Sequence, residues 1–241
     1  MAIYASSDWH GQGHLARQIL DYLKPNDTLY FLGDACDRGP YGWGIIKMLL
    51  KDPRVIYLQG NHEQFLIHSI LFDDKFQDFK LWMYNGGAGT NAAAEKETLD
   101  DRMAIVKHLY ELPKRLDITT EKGNIILTHA GTDPGTSERY WTARGVKDPY
   151  LWNRDHLRSD WTGDDNTWVV HGHTPVEYAP GRGWINEEKP YIPEVAFYCD
   201  GHKIDIDMGS FYTGRAALLN LDTFEIKYFD AKVEEDNHER Y

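Results

Sequence analysis

The chain is 241 residues long, 41% hydrophobic and 27% charged, with a formal net charge of −12. That length can bury a substantial core, and the acidic balance opposes non-specific nucleic-acid binding, which depends on Lys and Arg neutralising phosphates. No apolar run approaches the about 18 residues of a membrane span, and two cysteines, Cys36 and Cys199, make no disulfide framework and fit a reducing compartment.

In chain order, Ile3 to Ser6 read as a short strand ending in Asp8-Trp9-His10-Gly11. No basic head or apolar signal core precedes them, so a cytoplasmic protein is expected. A helical pattern follows through Leu15, Ile19, Leu20 and Leu23. Leu29 to Leu32 form a second strand, which runs into Gly33-Asp34-Ala35-Cys36-Asp37-Arg38-Gly39-Pro40 and then a helix through Ile45, Ile46, Met48, Leu49 and Leu50. Val55 to Leu58 form a third, ending in Gly60-Asn61-His62-Glu63 before Phe65, Leu66, Ile67 and Ile70. Taken alone, each loop is also an ordinary turn rich in Gly and Asp. Their spacing is close to the about 30 residues of a strand-helix-strand unit. Three such units place their strand ends along one edge of a parallel sheet, where ligands bind.

Residues 65–112 are mainly helical, broken at Asn85-Gly86-Gly87, which reads as a helix-to-helix turn in preference to a binding loop. The aromatics Phe65, Phe72, Phe76, Phe79 and Trp82 read as helix-packing core. Beyond Leu116 the pattern is β: a hairpin turning at Glu121-Lys122-Gly123-Asn124 and ending in His129-Ala130-Gly131, then Trp168 to Val170 ending in His171-Gly172-His173-Thr174-Pro175. Hairpins over 195–207 and 216–229 are expected to form a second sheet, and residues 231–241 a polar, frayed tail. With no repeat beyond the three units and no convincing linker, residues 1–241 are taken as one domain of the α/β class.

The strand-end set Asp8, His10, Asp34, Asn61, His129 and His173 offers oxygen and imidazole donors without a thiolate. It suits two divalent ions such as Mn²⁺, Fe or Zn²⁺, and not a structural zinc knot. His62 is placed to protonate a leaving group, Asp37 to orient it, and Arg38 to fork onto two phosphate oxygens.

The blocks Asp8-x-His10-Gly11, Gly33-Asp34-x-x-Asp37-Arg38-Gly39, Gly60-Asn61-His62-Glu63, His129-Ala130-Gly131 and Gly172-His173-Thr174-Pro175 resemble the calcineurin-like metallophosphoesterases. Within them the chain is most similar to the bacterial and phage branch of the phosphoprotein phosphatases, sharing Trp82 with Asn85-Gly86-Gly87, Trp152-Asn153-Arg154 and Ile206-Asp207-x-Gly209. The resemblance implies two mixed β-sheets packed face to face as a sandwich, with helices on the outer faces, in four layers. It implies Asp8, His10 and Asp34 on one metal and Asp34, Asn61, His129 and His173 on the other, Asp34 bridging. His62 becomes the general acid with Asp37 as its partner, and Arg38 and Arg154 the phosphate clamps. It also selects His173 over His171, which spacing leaves open. Asp207 reads equally as a neighbour of the ligands or as a hairpin-end acid.

Two positions depart from the family pattern. Gln59 stands where an arginine is usual, which removes a positive charge from the expected phosphate pocket. Trp9 replaces a small aliphatic residue and either packs under the sheet or flanks the cleft. The expected activity is metal-dependent hydrolysis of phosphomonoesters by a hydroxide held between two ions, most readily Mn²⁺. Its substrates would be phosphoserine and phosphothreonine proteins, with phosphotyrosine a further possibility. The alternative is a symmetrical dinucleoside tetraphosphate hydrolase. A non-catalytic binding protein on the same fold is the remote one. The expected protein is a monomer acting on a phosphorylated protein or small phosphoester, with no nucleic-acid or membrane partner.

Overall fold

A computed structural model describes residues 1–71, 75–134, 148–181 and 192–231, with the backbone alone for 75–78. Phe72, the side chain of Phe76 and the expected polar tail beyond Ala231 lie outside the described residues. The first sheet is built on the three expected units: β1 (Ile3–Ser6), α1 (Gly13–Tyr22), β2 (Thr28–Phe31), α2 (Gly42–Lys51), β3 (Val55–Tyr57) and α3 (Asn61–Leu71). β1, β2 and β3 pair in parallel. The helical stretch then runs through α4 (Lys75–Tyr84), α5 (Ala88–Ala94) and α6 (Leu99–Glu111). Thr98 caps α6, its Oγ accepting from the Asp101 N–H at 3.1 Å.

The second sheet holds β4 (Arg115–Thr119), β5 (Asn124–Thr128), β6 (Thr167–His171), β7 (Ala196–Tyr198) and β8 (Lys203–Asp205), in the order β4-β5-β6-β8-β7. It too is mixed: β5, β6 and β8 run in parallel, and the hairpins β4–β5 and β7–β8 are antiparallel. One sequence expectation fails here. The hairpin of β9 (Arg215–Asn220) and β10 (Ile226–Asp230) joins the first sheet, with β9 antiparallel to β1 through Tyr4↔Asn220 and Ala5↔Leu219. β2 occupies only one edge of β1, and β9 covers the other.

Side-chain alternation along the strands separates two cores. Leu29 and Phe31 of β2, with Ala216 and Leu218 of β9, face α1 and α2, where Leu15, Ile19, Trp43, Ile45, Ile46 and Leu49 are buried. Ala5, Ala217 and Leu219 face the other way, onto Ile125, Leu127, Val170 and Ile204 of the second sheet. The two sheets therefore share a dry interface. After α7 (Pro149–Trp152) comes a single 3-10 turn, Asp155–Leu157, on the far side of the second sheet. There the fully buried Lys203 ammonium sits 2.7 Å from Asp133 Oδ1 and donates to the carbonyls of His156 and Ser159.

Among the aromatics expected in the core, Phe65 and Trp82 are buried, and Phe79 sits at the edge, 36% exposed. Trp9 is fully buried under the first sheet, its ring 4.5 Å from that of Phe31 and its Nε1–H donating to Ser6 Oγ at 2.8 Å. It packs below the strand end and does not flank the cleft. Trp9→Ala is expected to cost about 3–5 kcal/mol of stability, read as a lower urea midpoint at unchanged slope.

Candidate metal centre

The loops after β1, β2, β3, β5 and β6 converge. Asp8, His10, Asp34, Asp37, Arg38 and His173 all hold left-handed backbone conformations, with φ between 40° and 71°. Non-glycine residues adopt this region at a cost of order 1–3 kcal/mol each and do so where surrounding structure fixes them. Asp and His tolerate it better than most.

What fixes the second and third loops is Glu63. Its carboxylate is fully buried and accepts from the N–H groups of Asp34 (2.8 Å), Ala35 (2.9 Å) and Gly60 (2.8 Å) and from the Tyr57 hydroxyl (2.9 Å). Asp34 Oδ1 in turn accepts from the His62 N–H at 2.9 Å. Gly60 is required by close approach, because a Cβ there would meet Asp34 and Glu63. Gly172 holds the fifth loop against the first in the same way, pressed onto Asp8 and Ser7.

The donors expected from the sequence come together. Asp34 Oδ2 lies 3.6 Å from His10 Nε2, 3.5 Å from His129 Nε2 and 3.9 Å from His62 Nε2. Among the described residues, two groups could hold a cation, Asp8 with Asp34 and His129, and His10 with Asp34 and His62, so Asp34 belongs to both. Asn61 Oδ1 is 2.8 Å from His129 Nε2 and 2.8 Å from His173 Nδ1. The His173 N–H donates to Asp8 Oδ2 at 3.1 Å. His171 points to the other side of its strand, its Nε2 2.6 Å from the Tyr198 hydroxyl.

The chemistry of the set fits divalent cations. Burial, then the charge of Asp207, raises the Asp8 carboxyl well above the usual range. Burial, then Asp8 and Glu63, does the same to Asp34. Burial pushes Asp207 up to about 6. Buried acids at close quarters call for positive charge, and Asp8 Oδ1 and His173 Nε2 have no hydrogen-bond partner among the described residues. The imidazoles are neutral: burial takes His129 down to about 3 and holds His10 and His173 well below the usual histidine value. His10 Nδ1 lies 3.0 Å from the Cys36 carbonyl and His129 Nδ1 2.8 Å from the Leu32 carbonyl. A donated N–H on that side leaves Nε2 as a lone pair, the arrangement of metal-ligating histidines.

Beside these donors, His62 Nδ1 lies 2.8 Å from Asp37 Oδ2, which also accepts from Trp82 Nε1 at 2.9 Å. The Arg38 guanidinium spans the mouth, Nη1 2.8 Å from His10 Nε2 and Nη2 3.1 Å from His62 Nε2. Its backbone N–H donates to the Gly86 carbonyl, so the Asn85-Gly86-Gly87 turn joins two helices and also buttresses the arginine. Arg154 is exposed and close enough for its charge to act on His173 and Asp207. Gln59 is buried, with Nε2 donating to the Leu109 carbonyl at 2.8 Å and its backbone N–H to the Pro113 carbonyl, so its side chain closes the C-terminal turn of α6. In the sequence Glu63 gives one signal only, an acid at the third residue of a helix start, where it can reach back to a preceding N–H.

The family model described as calcineurin-like phosphoesterase matches residues 1–206. A serine/threonine-protein phosphatase 2 of Escherichia coli is 26% identical, the match covering 81% of this chain and 91% of that one. A serine/threonine-protein phosphatase 1 of Salmonella typhimurium is 29% identical, over 62% of this chain and 66% of the relative. An asymmetrical bis(5'-nucleosyl)-tetraphosphatase of Halalkalibacterium halodurans is 30% identical, over 61% and 63%. The chain thus spans just under two thirds of the last two. Among solved structures, one titled a putative diadenosine tetraphosphatase superposes with a TM-score of 0.61 at 17% identity, covering 95% of this chain and 93% of that one. That likeness shows the fold.

Two outcomes are expected. Glu63→Gln leaves an N–H of the strand-end loops facing an amide NH₂, at about 1–3 kcal/mol for each unsatisfied group, and lowers the urea midpoint accordingly. Adding Mn²⁺ to chelator-treated protein raises the thermal midpoint, equivalent to about 2.7 kcal/mol at a hundred times Kd. An unmoved midpoint would show that the buried acids bind no divalent ion.

Proposed function

The chain belongs to the calcineurin-like phosphoesterase family, and on that premise we propose that it is a metal-dependent phosphatase hydrolysing phosphomonoesters, phosphoserine and phosphothreonine in proteins foremost and phosphotyrosine within its range. The observation that carries this reading is the Asp37–His62 pair set against Asp34 and beneath the Arg38 fork.

Asp8, His10 and Asp34 would hold one divalent ion and Asp34, Asn61, His129 and His173 the other, with Mn²⁺ preferred and Fe or Zn²⁺ as substitutes. When bound, such a pair supplies Lewis-acid polarisation of a phosphoryl oxygen and a lowered pKa for water. Asp37 Oδ2 accepts a hydrogen bond from the Nδ1–H of His62, which keeps that proton on the ring and leaves a proton carried on Nε2 as the one given to the departing oxygen. Arg38 reaches both His10 and His62, so a phosphate oxygen entering between them meets a guanidinium already in place. Arg154 holds a second oxygen from the opposite side. The chain acts as a cytoplasmic monomer on a phosphorylated protein or small phosphoester, without a nucleic-acid or membrane partner. No helix among the described residues is long and apolar enough to cross a membrane.

A second reading is hydrolysis of dinucleoside tetraphosphates, supported by relatives at 30% identity named bis(5'-nucleosyl)-tetraphosphatases. Those names specify asymmetrical cleavage, where the sequence analysis weighed the symmetrical kind, so the cut is to be read from the products: two ADP, or AMP with ATP. One competition assay on Mn²⁺-loaded protein, with a phosphoserine peptide, a phosphotyrosine peptide and diadenosine tetraphosphate, decides between the readings. Turnover of none, with two metals bound, would leave a binding protein.

His62→Ala is expected to retain both metals and lose roughly 10²–10⁴-fold in kcat. Unchanged turnover of a phosphoserine peptide would remove His62 from the acid role. Arg154→Ala is expected to act mainly on KM for a monoester.

A further inference from the structure

Tyr178 and Tyr212 stand on two segments that each follow a residue of the metal centre. Tyr178 ends the single 3-10 turn Val176–Tyr178, just past His173. Tyr212 lies in α8 (Ser210–Thr213), just past Asp207. The segments are tied together: the Val176 N–H donates to the Asp207 carbonyl at 2.9 Å, and the Tyr212 hydroxyl donates to Glu177 Oε1 at 3.0 Å. Tyr212 also packs on Gly209, where a Cβ would run into its ring. Both rings are open to solvent, Tyr178 at 67% and Tyr212 at 54% exposure. The charge of the exposed Arg154 acts on Tyr178 and on Asp207 alike, which brings Tyr178 within reach of the expected phosphate clamp. Isolated exposed aromatics need no explanation. Two of them, joined through one carboxylate at the lip of a cleft, do.

We propose that Tyr178, Glu177 and Tyr212 form a subsite for the purine base of a nucleotide substrate or leaving group. This rests on the phosphoester hydrolysis proposed above and deepens it. A base stacks on any exposed aromatic face. The Glu177 carboxylate keeps acceptor capacity beyond the Tyr212 hydroxyl, and a base amino group is the donor it would take, as carboxylates take base amines elsewhere. Arg154 then meets the phosphate that links the base to the reacting centre. A phosphoserine side chain offers neither ring nor amine, so this lip discriminates between substrates that the metal centre treats alike.

The test compares wild type with the double variant Tyr178→Ala, Tyr212→Ala and its rescue Tyr178→Phe, Tyr212→Phe, all loaded with Mn²⁺. The substrates are diadenosine tetraphosphate, p-nitrophenyl phosphate and a phosphoserine peptide. In the alanine variant the ratio of kcat/KM for the dinucleotide to that for the peptide is expected to fall roughly 5- to 100-fold, the loss of one or two stacking faces, with the change in KM. The phenylalanine variant is expected to restore the ratio. An unchanged ratio overturns the subsite, and so does an equal fall for both substrates, which marks a structural role. An equal fall for p-nitrophenyl phosphate overturns the purine assignment in favour of a general aromatic rim. Titration with AMP, read by intrinsic fluorescence, separates this from the function itself. If wild type turns over none of the substrates, the proposed function fails, yet AMP binding that weakens in the alanine variant upholds the subsite, and wild type that binds no AMP overturns it.

Discussion

A single buried carboxylate organises the centre of this protein. Glu63 gathers three backbone N–H groups from two different strand-end loops, and the Tyr57 hydroxyl with them. Amides at the end of a parallel strand have no further ladder partner, and buried donors must be satisfied. An anion placed among them satisfies several at once, with the greater strength of charge-assisted hydrogen bonds. The position of Asp34 follows from that, because its N–H is one of the three, and the position of His62 follows from Asp34. The left-handed backbone of Asp34 is held by these bonds, while the N–H of Asp37 is held by the Thr90 hydroxyl and that of Arg38 by the Gly86 carbonyl. Glu63 thus touches none of the expected chemistry and sets the coordinates of most of it.

The charges at the site are arranged as a problem that a cation solves. Asp8, Asp34 and Asp207 are all buried and all raised, and His10 and His129 beside them are neutral and already committed on one side to backbone carbonyls. Among the described residues, the positive charge that acts most on Asp34 is that of the exposed Arg38. The far face of the second sheet shows the contrasting solution. There Asp133 meets the buried Lys203 ammonium directly and its carboxyl is lowered, the bonds from His156, Lys203 and Ser159 outweighing burial. The same residue type, equally sequestered, is shifted in opposite directions according to whether its partner is a side chain supplied by the fold.

Much of this was legible in the sequence because it repeats. Apolar runs ending in Asp8, Asp34 and Asn61 recur at the length of one βα unit, and parallel pairing of β1, β2 and β3 then forces those residues to one edge. What stayed hidden depended on direction. The β9–β10 hairpin reads the same whichever sheet it joins, and only the free edge of β1 selects the first. Gln59 follows a strand end like its neighbours, yet its side chain turns to the end of α6, a choice made by the packing of a helix fifty residues away in sequence. Glu63 looked like one acid among several, since a carboxylate that binds amides and one that binds metal carry the same letter. His173 and His171 differ by two positions and therefore lie on the same side of an ideal strand. The left-handed turn at His173 breaks that rule and separates them.

The pairing of β1 with β9 has a consequence for synthesis. β1 carries the Asp8 loop, and its outer neighbour is made of residues 215–220; the Ser6 hydroxyl also bonds the Ala217 carbonyl. A ribosome adding about 5–20 residues each second finishes β1, β2 and β3 long before β9 exists. Until then the first sheet presents an unpaired edge beside the Asp8 loop, with His173 and Asp207 arriving in between. The nascent chain thus carries Asp34, Asn61 and His62 in place before it can close the cleft around them. The strand-end donors are complete only once the second sheet has brought His129 and His173 to them.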